Sequence, residues 1–139
     1  MGASEPLKNQ RDGKKPAALR QAIEVSQTQA RLAMLGAGIV LFALAVLPAG
    51  TEQPLFIGED KLKHVGAFGV LAFLARLSWP RLPYWSLALG LTGFGVMIEL
   101  VQGVSGWGRT ASVADVIADL VGLALGCAAY EALRNWRRP

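Results

Sequence analysis

Charge is what this sequence has least of. Only 17% of its 139 residues are charged, against about 25% in an ordinary soluble domain. Cysteine is nearly absent. The single Cys127 excludes an intrachain disulfide framework and any cysteine-rich zinc site. Histidine also occurs once, at His64, so no pair of histidines at metal-ligand spacing exists. There is no G-x-S-x-G serine elbow and no glycine loop of the phosphate-cradling type, so covalent catalysis and nucleotide binding have no motif behind them. Sixteen glycines without a three-residue period exclude collagen, and 53% hydrophobic content excludes a disordered chain.

Apolar sequence is what remains, at a mean hydropathy of +0.37. A bilayer core of about 30 Å takes roughly 20 helical residues at about 1.5 Å each. Four stretches approach that length. The first, residues 32–47, has no ionisable group and stops at Pro48. The second, 61–78, is interrupted by His64 near its start and Arg76 near its end. The third, 84–102, carries only Glu99, and the fourth, 112–130, holds Asp115 and Asp119 in its first turns. A soluble four-helix bundle needs a polar face on every helix, which the first three stretches lack. The expectation is an all-α polytopic membrane protein, a four-helix transmembrane bundle with helices at about 31–48, 61–79, 84–103 and 112–131. The transmembrane domain covers residues 30–131. A basic N-terminal tail, 1–29, is expected to be partly disordered, with a weakly amphipathic helix from Ala17 running into the first span. A short basic tail, 132–139, closes the chain.

Orientation follows from the basic residues. With both termini in the cytoplasm, eleven of the 14 Lys and Arg lie inside, and only Lys61, Lys63 and Arg109 lie outside. The pI of about 9.6 is then a topology signal, and it adds attraction to an anionic inner leaflet. No base-reading motif accompanies the charge, so nucleic acid is not an expected partner. Trp79, Tyr84, Trp85, Tyr130 and Trp136 fall at the inner interface, where aromatic belts form. The expected location is the inner (plasma) membrane, multi-pass, with the lipid bilayer as the constant partner. A basic segment ahead of an apolar one also fits a cleaved signal peptide. The length of both segments and the lack of a clean A-x-A site favour a retained helix.

The polar residues inside the spans converge on one end. Asp60, Lys61 and His64 open the second span, Glu99 and Gln102 close the third, and Arg109, Ser112, Asp115 and Asp119 lead into the fourth. Alternating directions bring all three groups to the outer leaflet. Residues three and four apart share a helix face, so Gly95, Glu99 and Gln102 form one stripe and Ser112, Asp115, Asp119, Gly122 and Gly126 another. Gly122-x-x-x-Gly126 is the small-residue pattern that lets helices approach closely in lipid. Asp119 is the deepest acid and needs a proton or a cation beside it. Ser112-x-x-Asp115 also fits a helix cap, and Glu99 with Gln102 also fits polar glue between helices.

Taken together, Asp60-Lys61-x-x-His64-Val65-Gly66-Ala67-Phe68, Glu99-x-x-Gln102 and Arg109-x-x-Ser112-x-x-Asp115-x-x-x-Asp119-x-x-Gly122-x-x-x-Gly126 resemble the VanZ-like membrane protein family, whose namesake is associated with teicoplanin resistance. The resemblance implies a small multi-helix membrane fold with its polar signature on Asp60, Lys61, His64, Glu99, Gln102, Arg109 and Asp115. Position 119, commonly Asn in that family, is Asp here.

The functional expectation is an extracytoplasmic polar site that binds or acts on a lipid-linked or other amphiphilic cell-envelope molecule. His64, Glu99 and Asp115 are the candidate catalytic residues, with His64 as acid or base and a carboxylate orienting it. Asp60, Lys61, Gln102, Arg109, Ser112 and Asp119 are the candidate substrate-binding residues, with Lys61 and Arg109 suited to an anionic head group. A His-plus-carboxylate set of His64, Glu99 and Asp115 suits several divalent ions, but no H-x-x-x-H or H-E-x-x-H spacing supports one, so no metal or other cofactor is assigned. The competing expectation is a non-catalytic scaffold, or a protein that binds a membrane partner, whose polar residues hold the bundle together. Self-association stays open. An ion path is disfavoured, because apart from Arg76 at the inner edge the inner halves of the spans have no ionisable groups to carry it.

Overall fold

A computed structural model describes residues 17–47, 58–105 and 111–136. The described chain is all helix in its regular structure: α1 (Ala17–Val46), α2 (Glu59–Ser78), α3 (Tyr84–Ser105) and α4 (Val113–Trp136). Among the described residues, three segments are long and apolar enough to cross a membrane: Glu24–Val46, Tyr84–Ser105 and Val113–Trp136. Helix α2 has the length, with 20 residues, or about 30 Å. Glu59, Asp60, Lys61 and Lys63 crowd its first turns, and Arg76 its last, so it falls short in composition rather than in reach. Helix α1 begins inside the segment read as a tail and runs unbroken into the first span, and α4 continues five residues beyond its expected end.

The helix boundaries follow local chemistry. Gly58 enters α2 with φ of 92°, a left-handed conformation that glycine adopts at little cost. Glu59 and Asp60 then face the positive end of the helix dipole. Pro80 ends α2. Pro83 starts α3, its carbonyl accepting the N–H groups of Ser86 and Leu87. Ser112 starts α4 in the same way, its carbonyl accepting from Asp115 and Val116.

The tightest packing is between α2 and α4, which run parallel, rather than between helices adjacent in the chain. Glycine makes this possible. A side chain at Gly122 would collide with the Val65 carbonyl, and one at Gly126 with the Gly69 carbonyl and the Ala72 methyl. Backbone lies on backbone along this seam, where C–H groups can face carbonyl oxygens. The small-residue pattern is therefore spent within the chain. Helices α1 and α3 flank the pair, and Phe68, Leu71, Ala75, Leu87, Leu91 and Ile98 fill the space between.

The distribution of polarity is inverted relative to a soluble protein. Leu32, Ile39, Leu89, Leu100, Val113 and Leu125 are exposed, while Glu99, Gln102, Asp115 and Asp119 are buried. A surface of this kind is stable in lipid. The sequence places Arg76 at the membrane edge, but the structure buries it at 3% exposure. Its Nη1 donates to the Leu82 carbonyl at 2.6 Å and its Nη2 to the Pro80 carbonyl at 3.1 Å. The guanidinium also lies over Tyr84 and Tyr130, 4.2 and 5.2 Å from the ring centres, with Glu131 at 3.8 Å. This node knits the α2–α3 turn to α4, at the end of the bundle opposite the polar cluster.

Gly122→Leu forces α2 and α4 apart and is expected to cost about 1–3 kcal/mol or more. Gly93→Ala, at a position with nothing within 4 Å, is expected to be neutral or stabilising. Thermal unfolding of the detergent-solubilised variants checks the contrast, and equal melting temperatures would remove the seam from the account.

Candidate functional site

The register of the parallel α2–α4 pair builds the site as two rungs. On the outer rung, Lys61 Nζ lies 3.3 Å from Asp115 Oδ1. One turn deeper, His64 Nδ1 lies 2.8 Å from Asp119 Oδ1. The next contacts inward are the glycine seam itself, so the close approach of the two backbones and the pairing of the two polar rungs are one geometric fact.

The inner rung has the character of a dyad. The His64 and Asp119 side chains are 14% and 2% exposed, so water competes little for the hydrogen bond. With the carboxylate ionised, Nδ1–H donates to Asp119, which sets the tautomer and leaves Nε2 as the nitrogen that can take up or release a proton. Asp119 in turn sits in a space that Gly95 provides, since a side chain at that position of α3 would collide with Oδ2. Below it, Phe68 and Phe94 lie with ring centres 6.2 Å apart.

Glu99 acts across a helix boundary. Its Oε2 accepts the Ser112 backbone N–H at 2.6 Å, one of the donors that the start of α4 would otherwise leave unpaired. In a capping box, the acid three residues into the helix makes that bond itself. Here Glu99 of α3 makes it, and Asp115 pairs with Lys61 instead. Ser112 thus contributes backbone to this contact. Gln102 serves a similar end, its Nε2 donating to the Ala45 carbonyl at 3.2 Å and tying α3 to the last turn of α1. Both orphaned oxygens of the cluster, Glu99 Oε1 and Asp119 Oδ2, are buried without a hydrogen-bond partner among the described residues.

Asp60, His64 and Asp115 bring ligand atoms within 4.8 Å of one another, and these three are the described groups best placed to hold a cation. Glu99 is not in that set. Lys61 already occupies one oxygen of Asp115.

Of the residues expected from the sequence, Asp60, Lys61, His64, Asp115 and Asp119 come together on α2 and α4. Glu99, Gln102 and Ser112 lie at the same end, engaged in joining helices. Arg109 lies outside the described residues. The carboxylate that orients His64 is Asp119, which the sequence reading placed among the binding residues. The matching three- and four-residue steps from Lys61 to His64 and from Asp115 to Asp119 were the available signal. Arg76 had no such signal, because its partners Tyr84, Tyr130 and Glu131 are scattered along the chain.

Residues 17–134 match the protein-family model for VanZ/LLP1. No curated protein and no solved structure matches the chain.

His64→Ala leaves Asp119 buried without a counter-group, a change expected to cost about 3–5 kcal/mol. The double replacement His64→Ala with Asp119→Ala is expected to cost less than the sum of the two single replacements by about 0.5–3 kcal/mol, the coupling that a double-mutant cycle reads. Strictly additive losses in unfolding measurements would mean that the pair is not formed.

Proposed function

The chain belongs to the VanZ/LLP1 family, and we propose that it presents, at the extracytoplasmic face of the plasma membrane, a site that takes the polar head group of a lipid-linked or other amphiphilic cell-envelope molecule. In this reading the chain crosses the membrane four times with both termini in the cytoplasm. The count of basic residues, eleven of 14 inside under this topology, supports the orientation. The parallel packing of α2 against α4, which itself qualifies as a span, supports a crossing by α2. A link to glycopeptide resistance rests on the family name alone.

One observation carries the proposal: a lone histidine, fixed through Nδ1 by a buried carboxylate, beside an ion pair at one end of an apolar bundle. Structural glue needs a hydrogen bond, but it does not need a group that exchanges protons near neutral pH. His64 is accordingly the proton-transfer group and Asp119 the residue that positions it. Lys61, which is half exposed, and Arg109, three residues before Ser112 in sequence, supply positive charge for a phosphate-bearing head group. The amphiphile approaches through the bilayer, with its head at the polar end and its tail among the apolar side chains.

A second reading has its own support. Glu99 and Gln102 each join two helices, as expected of a scaffold whose polar residues hold the bundle.

Lipids retained by the purified protein, identified by mass spectrometry, separate the two readings. His64→Gln and Asp119→Asn are expected to lower the retained amphiphile roughly tenfold or more while the amount of protein in the membrane stays normal. Gln102→Leu is expected to lower abundance. Full retention by both His64→Gln and Asp119→Asn would defeat the site. A fall in abundance of His64→Gln matching that of Gln102→Leu would favour the scaffold.

A further inference from the structure

Beneath the polar cluster lies a cavity of about 540 Å³ between α1, α2 and α3. It runs along α3 from Phe94 to Ser86, eight residues or about 12 Å of helix. Its upper end therefore starts one residue from Gly95, against which Asp119 rests. Helix α1 packs on α2 and is tied to α3 by the Gln102–Ala45 bond at the polar end.

The wall decides what can fill this space. Among the described residues lining the cavity, only Ser86 and Trp79 carry a side-chain N–H or O–H group, and both sit at the end far from the polar site. A water needs about two to four polar partners, which the rest of the wall does not offer. An empty cavity would forfeit the dispersion contacts of its lining. In a bilayer, the apolar matter at hand is hydrocarbon chain. Such a chain, hung from a head group at His64, descends directly to the level of Phe94 and the cavity. We infer that the α1–α2–α3 cavity is the tail site of the amphiphile whose head group the polar cluster takes. The inference rests on the proposed function and adds that a single molecule spans both sites.

Two glycines make the inference testable without damage to the fold. Gly38 and Gly90 both line the cavity, and a side chain added at either meets nothing within 4 Å. Gly38→Leu and Gly90→Leu fill the cavity while raising helix propensity. The probe is a single-chain alkyl phosphate with a diazirine near the chain end, diluted into phosphatidylcholine vesicles holding the full-length protein. Labelled residues are read by peptide mass spectrometry after illumination. In the unaltered protein, labelling is expected to concentrate on Phe42 and Leu91 over the outward-facing Leu89 and Val96. Each glycine variant is expected to lower the cavity labelling roughly tenfold, the equivalent of losing contact for about two methylenes, with labelling of Leu89 and the melting temperature unchanged. His64→Gln is expected to lower cavity labelling as well, because the head is no longer held.

Equal labelling of the cavity and the outer surface, or no effect of filling, would overturn the inference and leave the head-group site to stand on lipid retention. Cavity labelling undiminished in His64→Gln would also overturn it, since the chain would then come from bulk lipid. A rise in labelling as the protein is diluted in lipid would point to a second copy occupying the space, and would overturn it too.

Discussion

The approach of two backbones along Gly69, Gly122 and Gly126 is the constraint on which the rest depends. In lipid there is little hydrophobic force to press helices together, so contact must come from close packing. The absence of side chains at these positions lets α2 and α4 meet backbone to backbone. Once the seam is set, the register of two parallel helices brings His64 to Asp119 and Lys61 to Asp115. The polar pairs do not need to create the interface. They occupy the end of one that glycine has already closed.

Exclusion of unpaired charge from hydrocarbon then explains where the polar groups lie. At one end Asp115, Asp119 and Glu99 are buried and engaged, and at the other Arg76 is buried among tyrosines, carbonyls and Glu131. Between the ends, the exposed surface is leucine, isoleucine and valine. The two polar centres differ in kind. Arg76 has both terminal nitrogens held by carbonyls and carries a permanent charge, which suits a structural node. His64 has one ring nitrogen held and a charge that can change, which suits chemistry.

Much of this was legible in the sequence, for a physical reason. Long apolar runs with prolines between them specify helices and turns, and α2 and α3 start and end within two residues of their expected bounds. The shared face of Asp115, Asp119, Gly122 and Gly126 predicted the buried side of α4, because helical spacing is fixed. What spacing could not supply was the choice of neighbour. Sequence order suggested antiparallel contacts, whereas glycine on both α2 and α4 made the parallel pair the tightest. For that reason Asp119, rather than Glu99 or Asp115, reached His64, and Glu99 was left to satisfy the start of α4. The cavity was illegible for the same reason, since its lining comes from three helices and follows from no local pattern.

Because the chain has one histidine, its ring nitrogens can be observed without overlap. Nitrogen-15 NMR of histidine-labelled protein in lipid nanodiscs is therefore the most direct test that the glycine seam sets the dyad. The account predicts a protected, hydrogen-bonded Nδ1–H signal in the unaltered protein, lost alike in Asp119→Leu and in Gly122→Leu. An Nδ1 signal indifferent to both substitutions would contradict it.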